Sequence, residues 1–129
     1  MHSLSDLEHK GLHKRKRKMY MKKKIYVCAP FGTNNQTEQA NARTYYGYVL
    51  EKDCVPVGPH AYAEMFGSEE EDKKKQMHRA GMSLLWFCDE AWLFGEAETE
   101  WMKEELNFCR NMKIPVKKIK IKKLEERKQ

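Results

Sequence analysis

No stretch of the 129 residues comes near the ~18 consecutive apolar side chains that a membrane-spanning helix needs. The basic N-terminus is not followed by the apolar run of a secretory signal either, so a membrane or secreted protein is not expected. The four cysteines, Cys28, Cys54, Cys88 and Cys109, are scattered, with no Cys-x-x-Cys and no Cys-x-His pairing. That spacing excludes a zinc or disulfide framework and suits reduced thiols in a cytoplasm; each cysteine reads as a small hydrophobe among apolar neighbours. Also missing are a P-loop, a G-x-G-x-x-G turn, a Ser-His-Asp set, and anything like a helix-turn-helix or RNA-recognition motif. Neither a metal nor a cofactor is therefore expected.

What the chain has in quantity is charge, unevenly placed. Overall there are 25 Lys/Arg against 19 Asp/Glu, a net charge of +6. Residues 1–24 hold nine basic and two acidic side chains, residues 113–129 eight and two, and the stretch between eight and fifteen. An acidic body thus carries two basic ends. The expected organisation is a basic, flexible N-terminal extension over 1–23, one domain over 24–117 and a basic tail over 118–129. Met19 and Met21 each read as a natural beginning, so the first twenty residues are expected to be dispensable. Basic ends can bind nucleic acid through counterion release. The plainer reading, preferred here, is a solvated extension, because HKRKRKMYMKKK holds one aromatic and no stacking platform. With 40% hydrophobic residues the body can bury one modest core.

Along the body, apolar runs and helical stripes alternate. Lys24–Pro30 reads as a strand, Gln36–Lys52 as a helix, and Cys54–Val57 as a second strand. Residues 60–76, with the run EEEDKKK, read as an exposed, mobile excursion. Met77–Phe87 follows as a helix, Glu90–Phe94 as a strand, Thr99–Met112 as a helix and Ile114–Val116 as the last strand. This β-α-β-α-β-α-β order implies a parallel sheet with helices on its faces. Ligands of such sheets gather beyond the carboxyl ends of the strands. Here those ends deliver Pro30, Phe31, Gly32, Thr33 and Asn34, then Gly58–His60, then Gly95–Thr99. The last helix opens just behind them with Trp101 and Met102, and its N-terminus suits an anion, although Glu96, Glu98 and Glu100 crowd it and can cap the dipole themselves.

One residue in that helix breaks the pattern. At 3.6 residues per turn, 101, 105, 108 and 112 share one face, and 102, 106 and 109 lie beside it. Glu105 therefore falls inside an apolar stripe. A carboxylate turned toward a core costs several kcal/mol unless it is paired or lines a polar cavity. Functional use and structural accommodation both fit this pattern. Tyr26, near the carboxyl end of the first strand, is placed to orient such a carboxylate, although strand tyrosines mostly pack. Asp89 reads as a helix-to-strand turn residue, and His60 as a loop histidine of lower rank than Glu105.

Taken in order, the blocks IYVCAPFG, ANARTYYGYVL, VPVGPHAY, AGMSLLWFCDEAWLFG and TEWMKEELNFCRNMKIPV resemble a small, mostly uncharacterised bacterial and phage branch of the nucleoside 2-deoxyribosyltransferase-like superfamily, which is related to deoxynucleoside monophosphate N-glycosidase. The resemblance covers roughly residues 24–117 and neither tail. It implies a three-layer, doubly wound α/β domain, flavodoxin- or Rossmann-like, with four to five mainly parallel strands. It also implies a nucleoside or nucleotide ligand, a homo-oligomer, Glu105 as nucleophile toward the anomeric carbon, and Tyr26 as the group that orients it. The loop Pro30–Asn34 matches the segment that holds sugar or phosphate; Asn41, Arg43, Pro59 and His60 match blocks without an assigned role. Two positions depart from the pattern. Where the transferases carry an acid, eight residues before Asp89, this chain has Gly81, and their Ser-x-Gly-Met is here Thr99-Glu100-Trp101-Met102. The Trp101 ring either closes off a phosphate or offers a base a stacking surface. An exposed Trp101 or Trp92 is the sequence support looked for in an oligomer.

Three readings follow: an N-glycosidic transferase or hydrolase acting through Glu105, a non-catalytic module that binds or sequesters a nucleotide, and an adaptor that works through its basic tails.

Overall fold

The computed structural model describes residues 20–67 and 69–121. Most of the N-terminal extension and the end of the C-terminal tail therefore lie outside the described residues. Among the described residues eight elements follow one another: β1 (Lys24–Cys28), α1 (Glu38–Glu51), β2 (Val55–Val57), α2 (His60–Phe66), α3 (Glu71–Leu85), β3 (Glu90–Phe94), α4 (Glu100–Met112) and β4 (Val116–Ile119). The strands form one parallel sheet in the order β2-β1-β3-β4. The chain leaves β1 toward one edge and returns to β3 on the other side, so the switch point lies between β1 and β3. This is the expected three-layer, doubly wound α/β architecture with four strands.

The alternation along β1 divides the core. Ile25 and Val27 face α1, where they meet Tyr45, Val49, Trp92 and Phe94. Tyr26 and Cys28 face the opposite way, toward Leu85 of α3 and Met102 and Cys109 of α4. Period-2 alternation on a central strand thus places Tyr26 on the same layer as the last two helices. No helix among the described residues is long and apolar enough to cross a membrane.

Two boundaries differ from the sequence reading. Residues 60–76 are not an open excursion, since they form α2 and the start of α3, and Lys74 and Met77 are buried. The acidic Glu71 and Asp72 sit in the first turn of α3, where they complement its dipole. Lys74, Met77, His78, Gly81 and Leu85 form its buried stripe, so the helical period runs straight through the charged run. The last strand is Val116–Ile119 rather than Ile114–Val116. The Ile114 N–H is still committed to the Cys109 carbonyl at 2.8 Å, closing the end of α4 behind left-handed Lys113 (φ 58°).

Candidate functional site

The α4 helix starts where Thr99 accepts the Met102 N–H on its side-chain oxygen at 3.2 Å. From that cap its buried stripe is Met102, Glu105 and Cys109. Glu105 is therefore carried inward, 3% exposed, onto the face of β1 that bears Tyr26 and Cys28. The Tyr26 hydroxyl donates to Glu105 Oε2. The Cys28 thiol donates to Oε1 at 3.4 Å. Burial pushes the Glu105 carboxyl up to about 7, against the Tyr26 and Cys28 hydrogen bonds, which hold it down. Burial and the adjoining carboxylate push Tyr26 well above the usual phenol range, so it stays a donor.

The α3 helix supplies the facing wall. His78 is 4% exposed, its Nε2 lies 3.7 Å from Glu105 Oε2, and that nitrogen has no hydrogen-bond partner. Its ring lies flat on the Trp101 indole, with centroids 4.7 Å apart and planes 8° apart. Trp101 in turn stacks on Phe31 at 6.0 Å. One helical turn beyond His78, Gly81 lets α3 close on the site. A Cβ there would come within 3.0 Å of Pro59 Cδ and 3.1 Å of the Tyr26 hydroxyl.

The strand-end loop is tied down internally. Gly32 (φ +75°) lies against the Trp101 ring, which a Cβ would approach to 2.8 Å. The N–H groups of Gly32 and Thr33 go to the Glu38 carboxylate at 2.8 and 2.9 Å, and the Thr33 hydroxyl adds a third bond. Glu38 thus ties together the loop that, by the resemblance, matches the segment holding sugar or phosphate. Asn34 accepts from the Lys74 ammonium at 2.5 Å, and that fully buried lysine also reaches Glu71 at 3.1 Å. His60 is buried and satisfied on both nitrogens. Its Nε2 bonds the Pro30 carbonyl at 2.9 Å, so it carries the proton, and its Nδ1 accepts from Tyr46 at 3.3 Å. It holds the Pro30–Phe31 loop and does not face Glu105.

Other sequence candidates make contacts within the fold. Thr99 caps α4, and Met102 lies fully buried beneath that cap. Gly95 (φ +78°) turns the chain beside the Tyr45 hydroxyl. Asp89 accepts the Lys24 N–H at 2.8 Å at the opposite end of the sheet. Neither tryptophan offers the exposed surface looked for in an oligomer. Trp92 is buried with its N–H on Glu90, and Trp101 is half-buried in the site; the exposed aromatics among the described residues are Tyr20, Phe66, Trp86 and Phe87. A cleft of about 250 Å³ lies beyond His60, between α1 and α2, lined by Ala42, Arg43, Tyr46 and Glu64 among others, and does not include Glu105. Among the described residues no group of three His, Cys, Asp or Glu is placed to hold a metal.

Sequence reasoning brought out Glu105, Tyr26, Phe31, Gly32 and Trp101, and these meet. It missed His78, Lys74 and Glu38. The i, i+4, i+7 spacing of Lys74, His78 and Gly81 was the available signal, hidden by the charge around it.

The chain belongs to a domain family of unknown function, DUF7768, whose family model matches residues 23–119. No curated protein matches the sequence.

Proposed function

We propose that this family member binds a nucleoside or nucleotide and cleaves or transfers its N-glycosidic bond through Glu105. The observation that carries the reading is the buried Tyr26–Glu105 hydrogen bond at the carboxyl end of β1, beside the switch point. A carboxylate kept from water by apolar neighbours is a poorly solvated nucleophile. Tyr26 fixes which oxygen faces inward, because its hydroxyl occupies Oε2. Attack at the anomeric carbon forms a glycosyl ester as the carbon–nitrogen bond breaks and its electron pair leaves with the base. Water or a second base then resolves the ester. Burial holds this carboxyl at about 7, and giving up its proton is what frees an oxygen for the attack. The resemblance to deoxyribosyltransferases supplies the substrate class, and with it the expectation of a homo-oligomer.

A second reading, a non-catalytic module that sequesters a nucleotide, is favoured by one specific contact. The Trp101 ring packs onto Gly32, where the related pattern has a glycine. The test for both is incubation with deoxynucleosides and deoxynucleoside monophosphates, following free base by chromatography and binding by calorimetry. Base release that disappears in Glu105→Gln supports the enzyme. Binding without release in the wild type supports the module, and neither binding nor release overturns both. Nucleic acid binding by the basic ends is a separate reading, checked by whether deleting residues 1–20 removes retention on a DNA column.

A further inference from the structure

We infer that His78 and Glu105 act as a pair holding one proton between them, with His78 as the acid that delivers it to the departing base. This rests on the glycosidic reading above and adds to it the group that protonates the leaving nitrogen. The position where the transferases carry an acid is Gly81, whose surroundings leave no room for one: Pro59 and Tyr26 already stand 3.0–3.2 Å from where a Cβ would be. One helical turn back on the same face is His78, buried, with Nε2 unpartnered and 3.7 Å from the carboxylate oxygen that also accepts from Tyr26. A buried nitrogen without a partner is unfavourable and is rarely left so. Here it is held in place by the flat Trp101 ring, which fixes the imidazole plane without supplying a hydrogen bond. Closing 3.7 Å to hydrogen-bond length takes under 1 Å of side-chain movement, a normal difference between a resting and a substrate-loaded site.

The groups around the pair are Tyr26 and Cys28 from β1, Glu104 and Cys109 from α4, and Lys74 one turn earlier on α3, the last already bonded to Asn34 and Glu71. Burial holds His78 below its ordinary 6.5 while it lifts Glu105 to about 7, so in the resting site the proton sits on the carboxyl and the imidazole is neutral. The step balances as follows. The Glu105 proton passes to His78 Nε2, and the carboxylate oxygen bonds to the anomeric carbon. The carbon–nitrogen electron pair goes to the base, which takes the proton from Nε2. In the second half, water attacks the anomeric carbon, Nε2 accepts its proton, the ester bond breaks toward Glu105, and the proton returns to the carboxyl. Net, one glycoside and one water give one base and one free sugar.

The test uses the full chain. The His78 Cε1–H resonance is titrated by NMR in wild type and Glu105→Gln, and base release by wild type, His78→Asn and His78→Gln is measured on a deoxynucleoside and on a deoxyriboside whose leaving group departs without protonation. Support is a His78 titration that moves by a tenfold or greater change in proton affinity in Glu105→Gln, together with a ~10²-fold loss of base release in both His78 variants that shrinks below tenfold on the activated glycoside. An unchanged His78 titration overturns the pairing, whatever the kinetics. Equal losses on both substrates make His78 a packing residue and overturn its role as acid. If the wild type cleaves neither substrate, the glycosidic reading itself fails, and a coupled titration in that case leaves the proton-sharing pair standing without its reaction.

Discussion

Two glutamates sit at opposite ends of the same sheet, both nearly buried, and their chemistry is opposite. Glu90 opens β3 and is 8% exposed; Glu105, on α4 at the other end, is 3% exposed. Glu90 accepts the Trp92 indole N–H at 3.0 Å and ion-pairs with Lys23 at 3.0 Å and Lys117 at 3.1 Å, which hold it down to about 2. Glu105 has a phenol, a thiol and an unbonded imidazole, all uncharged, and stands at about 7. Glu90 is thus held as an anion and Glu105 as a proton-carrying group. Deeper burial of the Glu105 carboxyl, and the Trp92 N–H together with two lysines at Glu90, separate the two. The cationic end is built to hold strands together, and the neutral end to let a carboxyl change its state.

The largest expected effect breaks this comparison in activity. Glu105→Gln keeps the shape and an oxygen for Tyr26, and is expected to lower base release by ~10³-fold or more, as loss of a nucleophile does. Glu90→Gln is expected to leave base release within twofold of wild type. Steady-state release assays on the two variants decide it, and parallel losses would mean that the two ends are not functionally distinct.

The pH dependence of stability sharpens the comparison next. Glu105 binds its proton more tightly folded than unfolded, because its carboxyl stands at about 7 against an ordinary 4.5. Its contribution is therefore full below about 4.5 and is lost as pH rises toward 7, by at most ~3 kcal/mol. Glu90 has the reverse sign: held at about 2, its stabilisation is full above 4.5 and is lost as pH falls toward 2. His60 and His78, both held below 6.5 by burial, oppose Glu105 in the overlapping window. The quantity to measure is thus the difference between wild-type and variant urea midpoints from about pH 2 to about pH 8, which covers both windows. Glu105→Gln is expected to change the neutral limb and Glu90→Gln the acidic limb.

How visible each end was in the sequence follows from the kind of order that makes it. Glu105 stood out because a helix has a fixed period and a carboxylate inside an apolar stripe violates it. Tyr26 followed from its place near the carboxyl end of the first strand and from the resemblance. The Glu90 cluster was not visible, because Lys23 and Lys117 meet it only once β1, β3 and β4 align in register. His78 and Lys74 were hidden for another reason. A run of charged residues reads as solvated, yet five buried positions at helical spacing pass through and beyond it. That Glu38, a few residues on, folds back onto the N–H groups of Gly32 and Thr33 was not legible either. Local periodicity was legible; pairing between distant elements was not.

Packing gives a third contrast. At the Glu105 end Gly81 has no space for a methyl group, with Pro59 Cδ at 3.0 Å and the Tyr26 hydroxyl at 3.1 Å from an ideal Cβ. Gly81→Ala gains helix propensity of about 1 kcal/mol but overpacks this contact by ~1–3 kcal/mol, for a net loss of about 0–2 kcal/mol. It also shifts the Tyr26 hydroxyl off Glu105. The expected result is a lower urea midpoint together with reduced base release. A stabilised, fully active variant would show that α3 does not press on the pair.

At the Glu90 end the corresponding substitution should be mild. Lys117 is more than half exposed on β4, and its partner Glu90 keeps Lys23 and the Trp92 N–H when it is removed. Lys117→Met therefore leaves no unpaired buried charge behind, and its expected cost is that of a surface ion pair, about 0–1 kcal/mol, shrinking further in high salt. Removing Lys23 as well takes away both cations and exposes the coupling between them. A double-mutant cycle measured by urea unfolding is expected to give a loss for the pair larger than the sum of the singles, because the second lysine removed is the one that leaves Glu90 without a counter-charge. Strict additivity would mean that the Trp92 N–H alone keeps Glu90 ionised, and that the contrast with Glu105 rests on one neutral donor rather than on charge.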